Sequence, residues 1–329
     1  MPNVVVITGA GAGVGRATAR EFAKRGDWVG LIGRDGERLE AAASGLRDMG
    51  VRAHAATADI ADAKALEKAA DDIEKNLGPI DIWINNAMTT VFSPVADMSA
   101  EEFQRATHVT YLGTVHGTMI ALRRMRQRNS GTIVNIGSAL AYRSVPLQAV
   151  YCGAKSAIRG FTDSLRSEII HDKLNIHLTM VHLPAVNTPQ FDWAENNTGH
   201  QARPVPPVYQ PEVAARAIVF GAYAKRREIW VGIPTIVAIL ANRIAPGFAD
   251  RYLAKTGYSG QMTSQVKSPD APSNLYEPVA GNYGAHGRFD KTARTASWEM
   301  FTTEHRVVAV AFVVGAIYGL HRLAKKIDL

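Results

Sequence analysis

Along the first 235 positions, short apolar-rich runs alternate with longer stretches whose apolar residues recur every three to four positions. The runs "VVVITG", "WVGLIGR", "VRAHAATADI", "IDIWINNA", "GTIVNIGSA", "NIHLTMVHLPA" and "REIWVGI" predict strands. Between them, "GRATAREFAKRG", "DGERLEAAASGLRDMG", "DAKALEKAADDIEKNLG" and "YCGAKSAIRGFTDSLRSEII" predict helices. Parallel strands need long crossovers, and helices of this length supply right-handed ones. The pattern therefore predicts an α/β, doubly wound parallel sheet covered on both faces, occupying residues 1–235. In such sheets, ligands bind beyond the carboxyl ends of the strands, so candidate chemistry is sought there.

Residues 236–329 break this alternation and read as a C-terminal extension, partly helical and partly extended. "IPTIVAILANRIAPGFADRYLAKTG" predicts an apolar helix broken near Pro246. The next stretch, 259–292, is rich in Gly, Pro, Asn and Ser, and predicts an extended arm or a partly disordered linker. Near the end, Val307 to Leu320 is uncharged and apolar, with Arg322, Lys325 and Lys326 behind it. It is shorter than the roughly 20 residues that cross a bilayer, although Thr302, Thr303 and the basic flank extend it to about 302–322. Two readings stand: membrane contact through 302–322, or a helix buried against a second subunit.

Composition narrows the function classes. With 329 residues and 47% hydrophobic content, the chain can bury one large core with an appendage. Its single cysteine, Cys152, allows no internal disulfide, and no Cys/His spacing suggests a metal site. The first strand begins by residue 3, with no charged-then-apolar leader before it, so the expected location is cytoplasmic. The formal charge of +7 is a mild excess that suits anionic ligands. Its densest basic run, "LRRMRQRNSG", fits a helix C-terminus and lacks interleaved aromatics, so no nucleic-acid partner is expected.

Five strand ends carry candidate chemistry. "TGAGAGVG", from Thr8 to Gly15, lies between a strand and a helix, where glycines let a phosphate approach the helix N-terminus. After the second strand stands Arg34, whose planar fork suits a ribose 2′-phosphate, so NADP(H) is expected to be preferred over NAD(H). A solvated loop residue is the bland alternative. Asp35 reads as a helix cap. Asp59 either accepts a hydrogen bond from an adenine amino group or caps the next helix, a task Asp62 can perform instead. The amides of Asn85 and Asn86 either brace the sheet or hold a ligand. Ser138 closes a strand, Tyr151 opens the following helix, and Lys155 stands one turn beyond Tyr151. At neutral pH only about 0.1% of an ordinary tyrosine is phenolate, and a nearby ammonium raises that share. A hydroxyl, a phenol and a cation suit proton transfer at an alcohol or carbonyl.

"TGAGAGVG", "ADI", "NNA", "GS" and "YCGAK" occur in an order and spacing that resemble the short-chain dehydrogenase/reductase family, over roughly residues 3–235. The resemblance implies a Rossmann-type domain, NAD or NADP as cofactor, and interconversion of a small-molecule alcohol and carbonyl. Tyr151 would be the general acid/base. Lys155 would lower its pKa and hold the nicotinamide ribose, and Ser138 would orient the substrate oxygen. Gly9, Gly13 and Gly15 would form the phosphate turn. Asp59 would meet adenine, Asn86 would lie beside the adenine ribose, and Thr188 near the nicotinamide carboxamide. A homodimer through the helix bearing Tyr151 and the helix before it is also implied.

The sequence departs from the family pattern in three places. Ala12 stands where an arginine is frequent, Met88 replaces a glycine, and Thr110 occupies the place of an asparagine that helps hold a relay water. The last change suggests a slower or rerouted proton relay, and with Met88 it is the support for an alternative: a dinucleotide-binding sensor or scaffold with little turnover. His108 reads as a structural or surface residue, and His177, His182 and Cys152 as structural ones. In the proline-rich stretch 187–213, Phe191, Trp193 and Tyr209 either cover a bulky apolar substrate or pack the loop onto the body.

Overall fold

A computed structural model describes residues 2–305. Seven strands form the central sheet: β1 (Val4–Thr8), β2 (Trp28–Gly33), β3 (Ala53–Thr57), β4 (Ile82–Asn85), β5 (Gly131–Ser138), β6 (Ile176–Leu183) and β7 (Glu228–Trp230). They lie in the order β7-β6-β5-β4-β1-β2-β3, every pair parallel. Strand order reverses between β1 and β4, which opens a crevice at their carboxyl ends. This is the expected Rossmann-type sheet.

The crossovers are α1 (Gly13–Lys24), α2 (Gly36–Arg47), α3 (Ala63–Leu77), α4 (Ala100–Thr107), α5 (Gly113–Arg128), α6 (Ala149–His171) and α7 (Pro211–Tyr223). Successive side chains of β1 serve opposite layers, as the two-residue strand period requires. Val5 and Ile7 join a core with Phe22, Leu39 and Ile218, while Val4 and Val6 join one with Ile73, Trp83 and Leu165. Asp35 and Asp62 cap α2 and α3 by accepting backbone N–H bonds, Asp35 from Arg38 and Asp62 from Lys64 and Ala65. Asp59 is thereby freed from capping.

The basic run lies on the last turns of α5, which stops at Arg128 with Asn129 in the left-handed region at φ 50°. Arg124 pairs with Glu67, Asp71 and Glu74 of α3, and Arg126 with Asp172 at 2.9 Å. These cations tie neighbouring helices together.

After β7 the predicted helix is indeed broken at Pro246, giving α8 (Ile233–Ile244) and α9 (Pro246–Gln261). Gln261, at the end of α9, donates to the Pro146 carbonyl at 2.8 Å and accepts from Gln148 at 2.6 Å, which fixes the loop that leads into α6. Met262–Val266 then pairs antiparallel with His200–Ala202. Residues 267–295 continue as an extended strap that returns across the carboxyl ends of the strands, and α10 (Trp298–Glu304) follows. Among the described residues no helix is long and apolar enough to cross a membrane. The apolar run Val307–Leu320 lies outside the described residues.

Candidate active site

The turn between β1 and α1 depends on two glycines with positive φ, Gly9 at 68° and Gly13 at 57°. A Cβ on Gly9 would stand 2.7 Å from the Ala87 Cα, and one on Gly13 would meet Thr188 at 3.3 Å. The structure thus brings Thr188 directly over the turn. Gly15 packs so tightly that a Cβ there would meet the Gly9 carbonyl oxygen at 2.2 Å. Asn86 braces the same turn, its Nδ2 donating to the Thr8 carbonyl at 2.9 Å. Asn85 lies deeper and donates to Thr118 at 2.9 Å and to Asn135 at 2.8 Å, so both amides of the pair support the crevice from below.

Asn135 and Ile136 of β5 fasten α6 at two points. Asn135 donates to Thr162 Oγ1 at 2.9 Å, and the Lys155 Nζ donates to the Ile136 carbonyl at 2.7 Å. These bonds set Tyr151, near the start of α6, beside Ser138 at the end of β5, as the sequence predicts. Burial pushes the Tyr151 phenol up to about 12, with the adjacent Ser138 hydroxyl acting in the opposite direction. Lys155 is only 2% exposed, and burial pulls its amine down to about 7. Its Nζ lies 5.5 Å from the Tyr151 ring centroid. The expected lowering of the phenol pKa by Lys155 is therefore not the balance struck here: desolvation dominates both groups and favours their neutral forms.

Two buried residues support the backbone around this trio. Thr110 lies in a short π-helical stretch, His108–Leu112, between α4 and α5. It is buried, and its hydroxyl donates to the Thr89 carbonyl at 2.7 Å while accepting from the Thr89 N–H at 3.0 Å. Thr110 thus locks the loop after β4. His182 sits beneath Ser138, fully buried, with Nδ1 3.3 Å from the Ser138 carbonyl and Nε2 3.8 Å from Glu228. Burial lowers its pKa, so it is a neutral ring supporting the end of β5. The structural role agrees with the sequence reading, which did not reach its depth. Cys152 is buried and packs, as expected.

The cofactor side is crowded with arginines. Arg34 donates to the backbone carbonyls of Asn274 and of Tyr276, the latter at 2.6 Å. Arg38 runs along the glycine turn, where a Cβ on Gly11 would meet its Cδ at 3.3 Å, and it donates to the carbonyls of Gly281, at 2.7 Å, and Val279. Arg16 reaches Asn282, and its pKa is lowered by burial and by neighbouring Arg20 and Arg38. Asp59 pairs with Arg105 and accepts from the Ala61 N–H at 2.9 Å. Arg16 and Arg38 escaped the sequence reading, although Arg38 lies only four positions beyond Arg34, in the first turn of α2. A glycine turn ringed by the buried Arg16 and Arg38 and the half-buried Arg34, which face mostly neutral oxygens beside the Arg38–Asp35 ion pair at 3.0 Å, fits a phosphorylated dinucleotide by charge and donor geometry.

The loop aromatics pack rather than line an open cavity. Phe191 meets Phe92 and Phe289, Trp193 stands edge-on to Tyr283 at 4.5 Å, and Tyr209 is 2% exposed in the core. A cavity of about 540 Å³, lined in part by Leu147, Asn197, Tyr258 and Met262, lies beside this loop and is not lined by Ser138, Tyr151 or Lys155.

The short chain dehydrogenase family matches residues 3–198. An uncharacterized oxidoreductase YxnA of Bacillus subtilis is 28% identical over 96% of this chain and 89% of its own length. The 17-beta-hydroxysteroid dehydrogenase 13 of Homo sapiens is 30% identical over 70% of this chain and 74% of its own. Among solved structures, L-sorbose reductase from Gluconobacter frateurii, complexed with NADPH and L-sorbose, superposes with a TM-score of 0.62 at 24% identity, covering 70% of this chain and 95% of that one. The family match spans more than half of the chain and holds both the glycine turn and the Ser138–Tyr151–Lys155 group, so this protein belongs to the short-chain dehydrogenases, NAD(P)-dependent oxidoreductases acting at CH–OH or C=O carbons.

Proposed function

We propose that the protein interconverts an alcohol and a carbonyl with NADP(H), Tyr151 serving as general acid/base. The observation that carries this is the placement of Ser138, Tyr151 and a buried Lys155 at the carboxyl end of β5, across the crevice from an arginine-ringed glycine turn. Bound NADPH would supply a hydride to the substrate carbon. With its phenol held protonated at neutral pH, Tyr151 donates its proton to the substrate oxygen in the reductive direction and recovers it in the oxidative one. The Ser138 hydroxyl orients that oxygen, and Lys155 engages the nicotinamide ribose. Gly9, Gly13 and Gly15 would admit the pyrophosphate, Thr188 would meet the carboxamide, and Asp59 and Asn86 would serve the adenosine. A bulky apolar substrate agrees with the relative named for 17-beta-hydroxysteroids.

Arg34 is the group we assign to the 2′-phosphate. NADPH should bind more tightly than NADH in a titration followed by nicotinamide fluorescence. Arg34→Ala should weaken NADPH by roughly ten- to a hundredfold, the value of one charge-assisted bidentate contact, and leave NADH nearly unchanged. Equal or tighter NADH binding by the unaltered protein would refute the assignment.

We also propose a homodimer through α5 and α6. Met119 is 48% exposed on α5, and Gly153 and Gly160, exposed on α6, have nothing within 4 Å of a Cβ, which leaves room for close helix approach. Light scattering should give twice the chain mass, and a monomer at micromolar concentration would rule the interface out.

A further inference from the structure

The strap 267–295 holds, with its own backbone, the groups that a dinucleotide would use. Arg34 is bonded to the carbonyls of Asn274 and Tyr276, Arg38 to those of Val279 and Gly281, and the Gly13 N–H donates to the Gly284 carbonyl at 3.0 Å. Trp193 and Tyr283 close over the turn, with the Arg38 guanidinium 5.1 Å and 5.3 Å from their ring centroids. A pyrophosphate cannot reach Gly13 or Arg38 while these contacts stand.

The strap is anchored within this stretch and just beyond it. Leu275 is fully buried against Val91, Ala106 and Val150, and Arg105 donates to its carbonyl at 3.0 Å. Beyond the turn, Asn187 holds Gly287 N–H, Phe289 N–H and Asp290, and Arg288 pairs with Asp192 at 2.8 Å. A Cβ on Gly287 would strike the Thr188 carbonyl at 2.4 Å, so glycine there lets the strap lie against the turn.

Charge shows which occupant is favoured. The strap offers Arg16, Arg34 and Arg38 mostly neutral oxygens, whereas a dinucleotide brings phosphate anions to the same donors. The strap's advantage is that it is tethered, so its carbonyls are present at high local concentration. We propose that residues 274–287 are an intramolecular competitor of the dinucleotide: they close the cofactor site of the free protein and must be displaced before NADP(H) binds. This rests on the dinucleotide-site reading above.

The experiment combines amide hydrogen exchange with NADPH titration on the full chain, unaltered and as Leu275→Asp. That substitution places a charge in the apolar anchor and leaves the proposed cofactor contacts intact. NADPH should speed exchange across 274–287, and Leu275→Asp should tighten NADPH binding by about tenfold, as expected when a competent state populated near one in ten becomes dominant. Tyr283→Ala, which removes the ring over Arg38, should act in the same direction, and serves if the first variant does not fold. Slower exchange in 274–287 with NADPH, together with weaker binding by the variants, would make the strap a lid that closes over the cofactor and overturn the proposal. Unchanged exchange and equal affinities would also overturn it, while leaving the dinucleotide site intact. Binding of neither NADPH nor NADH by any of the three proteins would instead remove the reading on which the proposal rests.

Discussion

Tyr151→Phe should lower kcat/KM by about a thousandfold and leave the NADPH dissociation constant within about twofold, because proton transfer by a positioned acid contributes roughly 10² to 10⁴ in rate. The change removes one oxygen from a partly buried ring and leaves the ring itself in place beside Ser138 and Lys155. The glycine turn, Arg34 and Arg38 stand on other elements and are untouched. The split between turnover and affinity is the informative part. A dinucleotide-binding sensor would lose nothing measurable in this variant, whereas a merely structural tyrosine would lose thermal stability and affinity together. The measurement is steady-state turnover with an aldehyde, ketone or alcohol that the unaltered protein converts, paired with fluorescence titration. Retained turnover would take the general acid/base role away from Tyr151.

The fold was legible because β1 through β6 are either continuously apolar or end in a motif, and because Gly and Asp mark the helix boundaries. Asp35 and Asp62 cap the helices that the sequence assigned to them. Ser138, Tyr151, Lys155 and the three glycines could be placed together because each sits next to a strand end, and strand ends of a parallel sheet share one edge. What escaped was long-range and made by backbone. Nothing in "PSNLYEPVAGNYGAHG" signals that its carbonyls meet Arg34 and Arg38 some 240 residues earlier, since a carbonyl is common to every residue. Depth was equally hidden. The alternation along β6 set which face His182 occupies, but its full burial depends on Gly137 opposite, where a Cβ would strike the His182 Nδ1 at 2.4 Å. The electrostatic expectation for Lys155 also needed the structure, because spacing gives proximity to Tyr151 but not the burial that outweighs it.

That burial leads to an opposed effect on stability and activity at Lys155. Holding an amine at about 7 instead of its ordinary 10.5 means that the fold pays to keep it there. Between those two values the unfolded chain binds the proton more readily than the folded one, so stability rises with pH across the window from about 7 to 10.5 and is lowest below it. Lys155→Met keeps the length of the side chain and removes the ionisable group. It gives up the bond to the Ile136 carbonyl, worth about 1 kcal/mol, and relieves a larger desolvation cost, for a net gain on the order of 2 kcal/mol at neutral pH. Thermal unfolding at pH 7 should therefore rise by about 3 °C while turnover falls at least a hundredfold. The midpoint difference between variant and unaltered protein should narrow as pH is raised from 7 to 9.5, since the unaltered protein recovers stability over that range. An unfolding midpoint that drops in Lys155→Met, or a difference that does not change with pH, would show that the lysine is held as a paired ammonium rather than as a neutral amine. A fold that keeps a destabilising amine at the end of β5 bears a local cost of the kind found at functional sites.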